Sequence, residues 1–324
     1  MYSLKNVLRA TVLLALPLLT SCEQALDTVI CEDGTTTGPV VQPPAPDSLS
    51  ALSRRLGAPQ QFFTYVPNRQ NTITGLKGTI ITLPANAFVK ASGTPVTEPV
   101  LLEVREVFSR AEMVLTGTPT TSNGRLLESA GEIFLQPAQD SSLRLSPQAT
   151  LQFQTQSPPN LTSPDSMRLF VGNGGGGCFN WEPVFDPGSS LRPNGSGFQV
   201  NVSSALYNAG IGWFNCDRFY NNPNPLTVLV DVPGTSIDPK NNTMVFVVFR
   251  SLNGSLRACT FTAPNTFSTG GIPAGATVAV VVIRTLNGKL FYGRQDGAVA
   301  AGLRFSPTMR EVTATELKAD LNSI

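Results

Sequence analysis

Apolar and polar residues alternate with a period of two along much of the chain, the pattern of β-strands with one buried face. The alternation is clearest in the run VLLEVREV, where Val100, Leu102 and Val104 share one face and Glu103 and Arg105 lie on the other. Turn-forming Gly, Pro and Asn residues separate this run from similar ones before and after it. The pattern predicts a mainly β protein.

Short helices are predicted where an N-capping side chain precedes apolar residues at helical spacing. The three capping signals are Asp47-Ser48, Ser109 with Glu112, and Thr313 with Glu316. Because an apolar stripe on a short helix usually faces a core, we expect the first and last helices to pack against the β-structure.

One ten-residue pattern occurs twice. The run VVFRSLNGSL at 247–256 is repeated as VVIRTLNGKL at 281–290. An Asn-Gly pair between apolar runs predicts a hairpin with a type I′ turn, so each copy is predicted to form one. The two hairpins favour a second sandwich of immunoglobulin-like architecture, although the Cys–Trp–Cys spacing of that family is absent.

The polar, proline-rich run QSPPNLTSPDS at 156–166 has the composition of a domain boundary. With the signal-like N-terminus and the segment that follows it, this boundary gives four predicted parts. These are a signal peptide (1–21), a flexible tether with a short helix (22–58), a first β-sandwich (59–160), and a second β-sandwich with a C-terminal helix (161–324).

The stretch GTIITLPANAF, followed by the strand at 100–107, resembles the ZU-five domain of ankyrins, netrin receptors and tight-junction proteins. The matching positions combine a glycine-led strand, a Leu-Pro-x-x-Ala corner and a further strand: Gly78, Ile80, Leu83, Pro84, Ala87, Val100, Leu102 and Val104. The resemblance covers under a fifth of the chain. It implies a β-sandwich that binds or scaffolds and does not catalyse.

The N-terminus is typical of a secretory signal. Lys5 and Arg9 precede ten apolar residues, and Leu19-Thr20-Ser21-Cys22 resembles the lipobox of bacterial lipoproteins. A transmembrane anchor is the alternative, but only twelve uncharged residues separate Arg9 from Cys22, and a spanning helix needs about 20. The resemblance therefore implies fatty acylation (palmitate or a similar chain) at Cys22 and a lipid-anchored protein of the cell envelope, on either face of the outer membrane.

The net charge gives no indication of binding to nucleic acid or to anionic lipid. Removal of Lys5 and Arg9 with the signal leaves 21 basic and 22 acidic residues, a net charge of −1. No basic excess remains for nucleic acid. The low charged fraction, 14%, with 28 Gly and 26 Pro, is typical of extracytoplasmic β-proteins with many turns.

The absence of histidine limits the chemistry. A chain with no His cannot form a Ser-His-Asp or Cys-His catalytic group or a His-ligated zinc site. Neither a calcium-loop motif nor a cofactor motif occurs, so we predict no enzyme, no metal and no cofactor. The open alternative is a hydrolase that uses paired carboxylates, with Asp217, Asp231 and Asp238 as candidates.

Four cysteines remain beside Cys22, and in an oxidising compartment they are disulfide candidates. They are Cys31, Cys178, Cys216 and Cys259, which allow three pairings. We favour Cys216 with Cys259, because both lie beside strands of the second predicted domain.

The segment GWFNCDRFY at 212–220 is the most aromatic part of the chain. If Trp213, Phe214, Phe219 and Tyr220 are exposed, they offer stacking surfaces for a sugar or peptide. The more common outcome for such a segment is a buried strand, which we favour.

Three Asp-Ser/Thr-apolar patterns resemble O-glycosylation sites of one group of Gram-negative bacteria, with acceptors Thr28, Ser48 and Ser166.

Taken with the resemblances, these features favour a non-catalytic binding or scaffolding lipoprotein of the envelope, with a protein or glycan partner. The alternatives are a structural spacer of an outer-membrane assembly and a carboxylate-dependent glycan hydrolase.

Overall fold

The computed structural model describes residues 45–159, 161–174 and 178–324, and these residues belong to one compact unit. The protein is mainly β, with two sandwiches and a short helix near each end, as the sequence predicts. The α-helices within the described ranges are α1 (Leu49–Leu56), α2 (Arg110–Thr116), α3 (Ser204–Ala209) and α4 (Ala314–Asn322).

The first sandwich has two facing sheets. Its strands are β1 (Gln61–Tyr65), β2 (Asn71–Thr74), β3 (Ile80–Leu83), β4 (Phe88–Val89), β5 (Val100–Val107), β6 (Thr121–Ser122), β7 (Arg125–Pro137), β8 (Arg144–Leu145), β9 (Thr150–Gln156), β10 (Arg168–Asn173), β11 (Asn180–Pro183), β12 (Ser190–Asn194), β13 (Gly197–Ser203) and β14 (Trp213–Phe219). Sheet I has the order β1-β5-β7-β14-β10-β11, with β6 added beside β7, and sheet II has the order β12-β13-β9-β3-β2. Strands β4 and β8 form a separate pair. Apolar side chains from both large sheets meet in one core, including Leu102 from sheet I and Phe153 from sheet II.

The predicted domain boundary at 160/161 is wrong. Strand β9, before the proline-rich run, pairs with β13, which follows it, and β7 pairs with β14 in the same way. The run therefore connects the two sheets of one sandwich, with the 3-10 turn Pro164–Ser166 near its end. Composition misled because a polar loop between two sheets and a linker between two domains have the same residue types.

The second sandwich starts at residue 225. Its strands are β15 (Pro225–Asp231), β16 (Thr243–Phe249), β17 (Ser255–Arg257), β18 (Thr260–Thr262), β19 (Thr266–Pro273), β20 (Thr277–Leu286), β21 (Lys289–Ala298), β22 (Arg304–Phe305) and β23 (Met309–Glu311). Sheet III has the order β18-β19-β15-β22, and sheet IV has the order β17-β16-β20-β21-β23. Val230 of sheet III and Val247 of sheet IV lie in the core between them.

Sheet IV is buried on both faces. Its inner face packs on sheet III, and its outer face packs on α1, α2 and α4 through residues such as Phe246, Leu52 and Leu317. This explains why every residue of β16 is buried and why that strand is apolar without alternation. Helix α2 comes from the first sandwich, between β5 and β6, so this helical layer also joins the two sandwiches.

The two copies of the Asn-Gly pattern fold differently. In the second copy, Asn287 and Gly288 have φ angles of 52° and 71°, the positive values of a type I′ turn, and β20 pairs with β21 directly across them. In the first copy, neither Asn253 nor Gly254 has a positive φ, and a longer connection joins β16 to β17. The predicted type I′ turn at Asn253 is therefore wrong.

Asn253 instead connects the sandwiches. Its side-chain Nδ2 donates to the backbone carbonyl oxygens of Ser129 (2.9 Å) and Phe108 (3.1 Å), and its backbone carbonyl accepts from the Ser129 amide at 2.9 Å. Beside it, the Thr120 amide donates to the carbonyl of Ser255 at 2.7 Å. A side chain that the local pattern assigns to a turn thus completes the hydrogen bonding of β7.

We expect Asn253→Ala to lower the free energy of unfolding by about 2–4 kcal/mol, because the backbone carbonyl groups of Ser129 and Phe108 lose their donor from the second sandwich. Chemical denaturation measures this loss. The matched control is Asn287→Gly, in which glycine accepts the positive φ of the equivalent turn, so a change within about 0.5 kcal/mol is expected. Equal effects of the two substitutions would contradict the assigned role of Asn253.

Over the described ranges, no helix has the length and apolarity needed to cross a bilayer.

Candidate functional site

The aromatic segment forms strand β14, and its rings point to different places. Phe214 is buried in the core of the first sandwich, against Phe153 and Tyr207. Trp213 lies on the other face of sheet I, with its ring centroid 5.1 Å from that of Phe134 and 6.5 Å from that of Trp181. These two candidates therefore serve packing, which agrees with the buried strand that we favoured.

Phe219 and Tyr220, at the end of β14, are only partly buried and line an open cleft of about 350 Å³. Its other lining residues come from both sandwiches and are Gly124, Arg125, Leu126, Asn221, Asn222, Pro225 and Gly271. The Asn222 Nδ2 donates to the carbonyl of Gly271 at 3.0 Å, which ties the cleft floor to β19. Two of the four sequence candidates thus lie at a surface where a ligand has access.

A second open cleft, of about 520 Å³, shares Arg125 and Phe219 with the first. The rest of its lining is Ser166, Arg168, Pro183, Phe185 and Arg218. Phe185 is 84% exposed, the largest exposure among the large apolar side chains of the described residues. We call the two clefts together the arginine groove.

The position of Arg125 follows from local sequence. Asn123 and Gly124 have positive φ angles of 49° and 77°, so the chain turns tightly and Arg125 starts β7. Leu127 pairs with Phe219 across β7 and β14, which places Arg125 diagonally opposite that ring. The Arg125 Cζ lies 3.7 Å from the centroid of the Phe219 ring, a cation–π contact.

Arg218 is held in place by a buried carboxylate and a threonine hydroxyl. Its Nε lies 2.6 Å from Oε2 of Glu128, which is fully buried, and Thr162 Oγ1 donates to the same oxygen at 2.8 Å. The Arg218 guanidinium also donates to Thr162 Oγ1. The carboxylate fixes the direction of the guanidinium, and the Arg218 side chain is 15% exposed and belongs to the lining of the second cleft. Arg218 is thus preorganised, because its side-chain entropy is already lost in the free protein.

Arg125 and Arg168 differ from Arg218. Both are exposed, and in the part of the chain that the structure describes neither has a carboxylate within ion-pair distance. No Asp or Glu lines either cleft. The groove therefore carries uncompensated positive charge in a chain that is nearly neutral overall. Sequence reasoning missed this groove because its three arginines come from three strands, β7, β10 and β14.

Three carboxyl groups on strands of sheet I are fully buried, and among the described residues Glu132 and Asp217, unlike Glu128, have no ion-pair partner. Glu132 on β7 accepts a hydrogen bond from Thr118, and Asp217 on β14 accepts one from Nδ2 of Asn215 at 2.7 Å. Burial raises the pKa of both groups well above the ordinary range. The Asp217 carboxyl adds to the rise in the pKa of Glu132, and the Glu128 carboxyl adds to that of Asp217.

These carboxyls do not form an open acidic site. The four main clefts of the described residues have no Asp or Glu in their linings. Of the hydrolase candidates, Asp217 is enclosed, Asp231 pairs with Arg304 at 2.7 Å, and Asp238 binds the side chain of Asn241 at 2.7 Å. The structure thus does not bring the three acids together. Across the described part of the chain, no group of three or more acidic or cysteine side chains could hold a metal ion.

The favoured disulfide is wrong. Cys178, before β11, is bonded to Cys259, between β17 and β18, with a Cα–Cα distance of 6.2 Å. Cys216 is a buried free thiol that points from β14 into the first core, and burial raises its pKa. The favoured pairing rests on assigning both cysteines to one domain, but β14 belongs to the first sandwich, where Cys216 faces the core, and Cys259 lies in the second. Cys31 and the lipidation candidate Cys22 lie outside the described residues.

The glycosylation candidates have different surroundings. The Ser48 Oγ accepts from the Ala51 amide at 3.2 Å and is the N-cap of α1. Ser166 is exposed and lies in the lining of the arginine groove. Thr28 falls outside the described residues. Glycosylation at all three stays a prediction.

No known protein family matches this chain, and no curated protein or solved structure is significantly similar to it. The resemblances to the lipobox and to the ZU-five domain therefore remain expectations from the sequence.

Proposed function

We propose that this protein is a lipid-anchored envelope protein that binds a partner at the arginine groove and does not transform it. The observation that carries the proposal is an open groove with three arginines, one of them preorganised, and no carboxyl group in its lining. Binding needs directed side chains at an accessible surface, which the groove supplies. Carboxylate-dependent hydrolysis needs two acids facing the substrate, and the main clefts offer none, which favours binding over that alternative.

The anchor part of the proposal rests on the signal-like N-terminus. The Cys22 thiol would accept the lipid, cleavage before Cys22 would make it the mature N-terminus, and the residues that follow would connect the lipid to α1. Residues 23–46 include VVQPPAP, whose composition is typical of an extended linker. Such a linker would let the groove reach partners near the membrane.

We expect Cys22→Ser to move the protein from the membrane fraction to the soluble fraction, because the lipid has no attachment site. Fractionation with immunoblotting measures the shift, and mass spectrometry of the wild-type N-terminus should find an acylated Cys22. The matched control is Cys31→Ser, which leaves the lipobox pattern intact and should stay in the membrane fraction. An unmodified mature N-terminus elsewhere in the wild type would contradict the anchor.

The binding part is tested by capture. Immobilised wild-type protein should retain a defined component of an envelope extract, identified by mass spectrometry, and should release it unaltered. The double variant Arg125→Ala/Arg168→Ala should not retain it. Retention by both proteins alike, or the appearance of a cleaved product, would contradict binding at the groove.

A further inference from the structure

The chemistry of the arginine groove restricts its ligand. Its lining combines two arginines that lack a carboxylate partner, one anchored arginine, and aromatic rings open to solvent. Guanidinium groups match carboxylate, phosphate and sulfate groups because their N–H donors form paired bonds to two oxygens. The first requirement on the ligand is therefore negative charge.

Planar apolar surface adds a second requirement. Phe185 presents a ring that is 84% exposed, and Phe219 forms the boundary between the two clefts. The exposed Phe185 ring lies beside three arginines in the lining of the second cleft, so a ligand held by those charges also meets an apolar planar surface. It suits a ligand with a flat, weakly polar face, such as the C–H face of a sugar ring.

The first cleft adds hydroxyl-binding groups. Tyr220, Asn221 and Asn222 line it. Within the described residues, the side-chain amide of Asn222 makes one hydrogen bond to protein, from its Nδ2 to the Gly271 carbonyl. Amide and phenol groups exchange hydrogen bonds with hydroxyls in either direction. Since this cleft continues past Arg125 into the arginine-rich one, the groove suits a chain of several units rather than a single small molecule.

An acidic peptide is the competing ligand, and the strand edge beside the groove argues against it. A peptide in an open groove usually pairs with a free strand edge. Here the β6–β7 turn covers the start of edge strand β11, where the amide of Asn123 donates to Oδ1 of Asn180 at 2.7 Å. The groove therefore offers side chains and little free backbone.

From these observations we infer that the arginine groove binds an acidic oligosaccharide, with its carboxylate, sulfate or phosphate groups on Arg125, Arg168 and Arg218 and a ring face on Phe185. This inference rests on the proposed binding function and names the class of its ligand. Arg218, fixed by Glu128, sets the position of one acidic group, and Arg125 and Arg168, which have no carboxylate partner among the described residues, bind the neighbouring groups.

The test uses the full chain without its lipid (Cys22→Ser) and titrates it with hexagalacturonate, a linear oligomer of uronic acids, by calorimetry. We expect saturable binding that weakens by about tenfold between 50 and 300 mM NaCl, because salt screens exposed charges. Maltohexaose, a neutral hexasaccharide, should bind at least about tenfold more weakly. Hexasulfated and phosphorylated oligosaccharides, tested in parallel, report which anion fits best.

Variants locate the binding. Arg125→Ala/Arg168→Ala should weaken hexagalacturonate binding by about 30-fold or more, since each charged hydrogen-bonding partner contributes about tenfold. The control is Arg69→Ala/Arg192→Ala, which removes the same charge from exposed sites outside the groove and should change binding by less than about twofold. Phe185→Ala should weaken binding by about fivefold, whereas Phe62→Ala, at a ring 53% exposed on β1, should not. Circular dichroism checks that each variant is folded.

Three results would overturn the inference. They are the absence of binding to any acidic saccharide, binding that the groove double variant leaves unchanged, and equal or stronger binding of a polyglutamate peptide that the same variant abolishes. Failure here is distinguishable from failure of the proposed function. If envelope capture through the groove succeeds while the saccharides do not bind, the ligand class alone is wrong; if neither occurs, both are wrong.

Discussion

Replacement of Cys178 and Cys259 by alanine is expected to lower the free energy of unfolding by about 3–5 kcal/mol. The disulfide joins positions 81 residues apart and connects a loop of the first sandwich to the second. Without it, the unfolded chain regains the entropy of an open loop of that length, while the folded state loses a cross-link between its two halves. Denaturant unfolding of the oxidised protein measures the difference.

Reductant supplies the control for this prediction. Reduction should lower the stability of the wild type to that of the double variant and leave the double variant unchanged. The Cys216 thiol should resist alkylation until the protein unfolds, since it is buried and its pKa is raised. Peptide mapping that links Cys259 to any other cysteine, or a loss below about 0.5 kcal/mol, would contradict the assignment.

The stability of the protein is expected to fall as the pH rises from 5 to 9, because of Glu132 and Asp217. Their pKa values are raised in the folded state above the ordinary 4.5 and 3.8. Each group therefore keeps a proton in the folded chain that the unfolded chain has released. Its contribution is complete below the ordinary value and is lost by up to about 1.4 kcal/mol per pH unit until the folded pKa is reached.

The charged groups around this pair support that window. Glu128 pairs with Arg218, and Glu112 pairs with Lys77, so both neighbouring acids have cationic partners while Glu132 and Asp217 have none. Acids with lowered pKa values, such as Asp231 and Asp296, lose their contribution only as the pH falls through the acidic range. Between pH 5 and 9 the buried pair should therefore determine the slope.

The double variant Glu132→Gln/Asp217→Asn tests this assignment, because it replaces both protonated carboxyls with neutral groups of the same shape. We expect a nearly flat stability profile from pH 5 to 9 and, at pH 8, a stability about 2 kcal/mol or more above that of the wild type. Glu98→Gln, at an exposed site, should keep the wild-type slope. A rise of wild-type stability with pH over this range would show that the pair is ionised in the folded protein.

Sequence alone determined the features that depend on a few neighbouring residues. The capping boxes at Ser109 and Thr313 are formed as predicted, since each needs only residues three positions apart. The alternation through Val100, Leu102 and Val104 correctly marks the buried face of β5. Asn287 forms its predicted turn because β20 and β21 are adjacent in sequence and the turn residues Asn287 and Gly288 are exposed.

The two copies of the Asn-Gly pattern show a limit of prediction from local sequence. Asn253 has the same neighbours in sequence as Asn287, yet its amide is used by Ser129 and Phe108 of the other sandwich. Those partners lie more than a hundred residues away, so no local pattern reports them. The two hydrogen bonds from Asn253 to these carbonyl groups outweigh the preference of an Asn-Gly pair for a type I′ turn, which is of comparable energy.

Tertiary structure alone decided the division into sandwiches, the cysteine pairing and the candidate site. The loop at 156–166 became a crossover within one sandwich because β7 and β14, far apart in sequence, pair in sheet I. The same pairing enclosed Glu132 with Asp217 and brought Arg125 to Phe219. Sequence specifies which face of each strand is apolar, since that depends on alternation within the strand; which strands become neighbours depends on how the whole chain buries those faces together.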